Sequence, residues 1–85
     1  MLVKTDILSF AYEVEHALQD MEISAYTVSD EAGYDVEEVH ILATDEYVVY
    51  SIDLYDDGTF SLCVHNHGTS YRYMDGIWKD LFMYL

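Results

Sequence analysis

The sequence predicts an α+β domain: an antiparallel sheet of four strands, or five if 69–74 adds one, flanked by an N-terminal and a C-terminal helix in the order α-β-β-β-β-α. Three features of the chain lead there. Ile7, Ala11, Val14, Leu18 and Met21 recur at alternating four- and three-residue steps, which makes one buried stripe on a helix. The stretch 46–65, EYVVYSIDLYDDGTFSLCVH, sets two alternating apolar runs on either side of Asp56-Asp57-Gly58, as a hairpin requires. Ile77, Trp78, Leu81, Phe82 and Leu85 close the chain with a second, broader apolar stripe. At 85 residues and 52% apolar content, residues 1–85 supply one domain with one core. Its expected radius of gyration is roughly 12 Å.

Thr5 or Asp6 can cap the first helix, which is expected to run to Met21. ISAYTV at 23–28 reads as the first strand, and SDEAGYD at 29–35 as a turn or loop around Gly33. VHILAT at 39–44 is the next strand. A two-residue Asp45-Glu46 connection would pair Ala43 with Val48, Ile41 with Tyr50 and Val39 with Ile52, keeping the apolar face continuous. Asp-Glu is poor chemistry for so tight a turn, and a longer loop stays open.

In the hairpin, a three-residue loop sets Leu54 opposite Phe60, Ile52 opposite Leu62 and Tyr50 opposite Val64. A two-residue Asp57-Gly58 loop would put Leu54 against Ser61 and mix apolar with polar on one face. The longer loop is therefore expected, with Gly58 at the positive-φ position of a G1 bulge. Tyr50, Ile52, Leu54, Phe60, Leu62 and Val64 should then all face the core. Beyond Asn66-His67-Gly68, the segment 69–74 reads as a strand or as the start of the last helix. That helix is expected over 75–84, because Asp75 is a good N-cap and Gly76 costs most in a helix interior.

The same register leaves a second face with Leu42, Tyr47, Val49, Tyr55 and Cys63 beside Glu38, His40, Ser51, Asp53, Ser61 and His65. Two helices are too short to cover both sides of four strands, so this face should stand partly open unless one helix packs on each side. Tyrosine and apolar residues ringed by charge suit an interaction surface.

Charge is the outlying property. Seventeen Asp and Glu stand against Lys4, Arg72 and Lys79, a net charge of −14. Such crowding costs stability through self-repulsion. Nucleic acid, acidic membranes and anionic substrates would be repelled as direct partners, whereas a basic protein surface is complementary. The densest run is Asp30, Glu31, Asp35, Glu37 and Glu38, five acids in nine residues, with Tyr34 at its tip. Those residues, with Tyr47, Asp53 and Tyr55 beside them in the expected layout, are the candidate partner-binding set.

Other chemistries find less support. Cys63, His65 and His67 alternate, with His40 one strand away, but Gly68 should bend His67 aside and no fourth ligand completes the set; no metal is expected. There is no phosphate-cradling glycine loop or nucleophile elbow, so neither catalysis nor a cofactor is expected. A lone cysteine fits a reducing compartment. With no signal peptide and no apolar run of membrane-spanning length, a soluble cytoplasmic protein is expected.

In size, single-domain character, acidity and abundance of tyrosine, the chain resembles the small acidic inhibitors of phages and mobile elements: anti-CRISPR, anti-restriction and uracil-glycosylase-inhibitor proteins. The likeness involves no shared motif and transfers no residue role. It implies a mechanism in which a compact anion occupies a basic groove meant for nucleic acid, whose phosphates recur at about one charge per 1.7 Å of duplex. An immunity protein that neutralises a toxin nuclease would have nearly the same composition; an ordinary acidic domain of a halophile would also be acid-rich and lysine-poor, with fewer large apolar residues at its surface.

Overall fold

Alternation of apolar and polar residues carries the chain through consecutive strands, each hydrogen-bonded to the next. The structure is a computed structural model and describes residues 4–30, 37–66 and 70–85, with side chains at 7–28, 38–66 and 71–85. Helix α1 (Lys4–Ala17) is followed by β1 (Glu22–Asp30), β2 (Glu37–Thr44), β3 (Val48–Tyr55), β4 (Thr59–Asn66) and β5 (Ser70–Ile77). A 3-10 helix, Trp78–Met83, ends the chain. The five strands form one antiparallel meander in the order β1-β2-β3-β4-β5.

The central hairpin has the expected register, with Leu54, Ile52 and Tyr50 opposite Phe60, Leu62 and Val64. Gly58 takes φ +90°, its N–H donates to the Tyr55 carbonyl at 3.1 Å, and the Asp57 carboxylate accepts the Thr59 N–H at 3.0 Å. Ile52, Leu54, Phe60 and Leu62 are buried, while Tyr50 and Val64 pack half-buried at the margin of the same core. Against them lie Ile7, Ala11, Val14 and Leu18 of the helical stripe, with Val39, Ile41 and Ala43 of β2.

Three expectations need correction. The pairing of β2 with β3 is two residues away from the expected one, with Ala43 opposite Tyr50, Ile41 opposite Ile52 and Val39 opposite Leu54. Asp45 makes the difference: its carboxylate accepts the N–H groups of Tyr47 (2.7 Å) and Val48 (2.8 Å), closing a turn around Glu46-Tyr47. A shift of two keeps every side chain on its face, so apolar pairing alone could not separate the two registers. The first helix ends at Ala17, where i→i+3 bonds from Gln19 to His16 and from Met21 to Leu18 tighten the exit. Thr5 and Asp6 lie within its first turn rather than before it.

The largest correction is at the C-terminus. Residues 70–77 are a fifth strand, and Asp75 and Gly76 pair with Ser61 and Phe60 instead of starting a helix. Gly76 sits at φ +158°, a backbone conformation that L side chains rarely adopt, with the Phe60 ring at 3.4 Å from where a Cβ would lie, so glycine serves the strand and not a cap. The chain then turns because Trp78 is held twice: its backbone N–H donates to the Gly58 carbonyl at 2.9 Å and its indole N–H to the Thr59 carbonyl at 2.8 Å. The Trp78 ring stacks on Phe10 of α1 at 4.9 Å, and Phe82 meets Phe10 edge-on at 5.3 Å. Leu81 completes the buried cluster. Helix and 3-10 helix thus cover the same side of the sheet.

Candidate functional site

With both helical elements on one side, the other side of the sheet has no helix over it among the described residues. The pairings lay its residues out in rows. Thr27, His40, Asp53, Ser61 and Asp75 cross all five strands in one row; Ala25, Leu42, Ser51, Cys63 and Tyr73 form the next. Thr44, Val49, His65 and Tyr71 follow toward one end, and Glu38 stands opposite Tyr55 toward the other. Alternation along each strand dictates this composition, since the apolar partners of these residues are committed to the core.

Polar groups on this face are tied to one another. His40 donates from Nδ1 to Asp53 Oδ1 at 2.7 Å. Ser61 Oγ lies 3.2 Å from the Tyr73 hydroxyl and 3.5 Å from that of Tyr55. Cys63 Sγ and the Tyr71 hydroxyl are 3.2 Å apart, and the His65 ring meets the edge of Tyr71 at 6.5 Å. The bond with Cys63, then the charge its thiolate would carry, raises the pKa of Tyr71 above the ordinary tyrosine value. Tyr26, on the helix-covered side, is raised too, by burial first and by Glu15 second.

A serine, a histidine and an aspartate share one row, but in an order that does no nucleophilic work. Asp53 stands between the other two, and His40 is two strands from Ser61, about 9.6 Å at ordinary strand spacing. A base must reach the hydroxyl within hydrogen-bond distance. Among the described residues no three His, Cys, Asp or Glu side chains converge as metal ligands.

The candidate residues separate into groups. Glu38, Asp53 and Tyr55 are brought together on the uncovered face. The backbones of Asp30 and Glu37 face each other at the adjoining end of β1 and β2. Glu31, Tyr34 and Asp35 lie outside the described residues. Tyr47 is 75% exposed, but in the β2–β3 turn at the opposite end of the sheet from Glu38. Sequence reasoning missed the contribution of β5: Tyr71 (64% exposed), Tyr73 (54%) and Ile77 (47%) extend the same face to the sheet edge. The alternation of Tyr71, Tyr73, Asp75 and Ile77 carries the strand signal, in competition with the N-cap chemistry of Asp75.

Among the described residues, no helix is long and apolar enough to cross a membrane. Comparison with family models, with curated proteins and with solved structures gives no match.

Proposed function

We propose that this protein binds a basic, nucleic-acid-handling protein and competes with its nucleic acid, without catalysis. One observation carries the reading: seventeen acids against three bases on a chain whose sheet leaves one face without a helix. That face offers Tyr55, Tyr71, Tyr73 and Ile77 as semi-rigid apolar anchors, and Glu38, Asp53 and Asp75 as anions among them. Aromatic anchors with few rotatable bonds supply contact area at low entropic cost. Carboxylates steer encounter with a cationic groove and repel competing polyanions. Anti-restriction, anti-CRISPR and toxin-neutralising roles share this physical mode and differ in the partner.

The test is competition. A partner recovered from lysate on the immobilised protein is loaded with a labelled oligonucleotide, and this protein is titrated in. Release of the oligonucleotide is expected, with an apparent affinity that falls steeply as salt rises. Simultaneous binding without interference would remove groove occupation as the mode of action.

A further inference from the structure

Where β3, β4 and β5 meet, the uncovered face is not flat. Tyr55, Thr59, Ser61, Asp75 and Ile77, with Phe60 and Gly76, line a shallow, open cleft of about 410 Å³. That volume is near the lower end for small-ligand sites, roughly 300–1,000 Å³, and suits one long side chain better than a cofactor. Its chemistry is uniform in sign. Asp75 contributes a carboxylate, and the Ser61 hydroxyl lies 3.5 Å from that of Tyr55 in the lining and 3.2 Å from that of Tyr73 beside it. Ile77 and the Tyr55 ring provide apolar wall. Arg72, three positions before Asp75, is directed away by alternation, and its Nη2 donates to Met74 Sδ at 3.6 Å.

We infer that this cleft seats one arginine side chain of a basic partner. A guanidinium has five donors in a plane; it can bond a carboxylate and several hydroxyl oxygens at once while lying on an aromatic or apolar wall. Lysine carries its charge as a strongly hydrated point on a flexible stem and gains less from spread acceptors and a ring face. A phosphate or carboxylate ligand would meet Asp75 and a net charge of −14. The inference rests on the proposed function for the partner being basic, but makes its own claim about which side chain is recognised and where.

The experiment titrates isotope-labelled protein with capped Gly-Arg-Gly and, separately, capped Gly-Lys-Gly, reading amide shifts. Saturable shifts are expected at Ser61, Asp75, Gly76 and Ile77 with the arginine peptide, with clearly weaker binding by the lysine peptide and little change at Glu46 and Tyr47. Asp75→Asn should weaken arginine binding by roughly tenfold while the rest of the spectrum stays in place. Tyr55→Leu, which removes a ring and a hydroxyl but no charge, should weaken it several-fold. No saturable shift, equal affinity for the two peptides, or an Asp75→Asn protein that binds as before overturns the inference. If arginine binds here but no oligonucleotide is displaced from the partner, the cleft stands and the nucleic-acid-competing role falls. If displacement occurs and the peptides ignore the cleft, the reverse holds.

Discussion

Leu62 is fully buried at the middle of the sheet, opposite Ile52 on one side and Met74 on the other. Leu62→Ala should cost about 2–5 kcal/mol in urea denaturation, because the lost contacts are joined by an unfilled cavity. Domains of this kind have total stabilities on the order of 5–15 kcal/mol, so the variant should be near its threshold. At the uncovered face, Tyr71 shows the reach of a single neighbour. Its bond with Cys63 holds the phenol protonated beyond the usual tyrosine range. With a folded-state pKa above that of the unfolded chain, near 10, its contribution is present below that pH and is lost as pH rises through the folded value. Cys63→Ala should bring Tyr71 down toward the ordinary value, measured by carbon NMR of ring-labelled tyrosine; an unchanged titration would remove Cys63 as the cause.

Among elements, β5 and the 3-10 helix turn on Gly76 and Trp78. Gly76→Ala adds a methyl against the Phe60 ring at a backbone conformation that glycine tolerates best, and should destabilise by about 1–3 kcal/mol. Trp78→Phe keeps a ring to stack on Phe10 but leaves the Thr59 carbonyl without its indole donor, a loss of about 1–2 kcal/mol in the same assay. These two positions also explain what the chain did not reveal. Helical stripe, hairpin loop and core face follow from local periodicity around residues such as Ala11, Gly58 and Ile52, and so were legible. The fate of 75–84 depends on Phe60 and Gly58, some fifteen to twenty positions upstream. No local pattern around Asp75 reports that. The shifted β2–β3 pairing has a related cause, since the Asp45 carboxylate chose between two registers equally satisfactory to the core.

For the whole molecule, the decisive fact is which side of the sheet the two helical elements take. Phe10 and Trp78 bring them together on one side, and Glu38, Asp53 and Tyr55 are left on the other. The sequence supported that gathering through strand parity, but it could not place Tyr47 at the far end. Charge also acts on this scale. Asp30 and Glu37 hold paired backbone positions in a chain whose net charge of −14 costs stability through self-repulsion. Replacing both, Asp30→Asn with Glu37→Gln, removes two of those charges and should raise stability slightly while weakening binding to a basic partner. Opposite movement of the two, read by denaturation and by titration, is the expected outcome. If neither changes, that end of the sheet belongs to the solvent. Added salt should likewise stabilise the free protein while loosening the complex.

Among the described residues the meander does not close on itself, and β1 and β5 are its edge strands. The register shift between Ile23 and Ala25 distorts one rim, a common guard against lateral growth. The other runs unbroken from Ser70 to Ile77. At neutral pH a net charge of −14 sets copies of the chain against one another; near pH 4.1, where the composition balances its charges, that repulsion is lost. Acidification should therefore polymerise the protein through β5, seen as rising light scattering and thioflavin fluorescence. Tyr73→Lys, which puts a cation on that rim, should suppress the rise, and equal polymerisation of the variant would shift suspicion to β1. Solubility and recognition would then share one origin, the repulsion that strains the monomer being what keeps it from becoming a fibre.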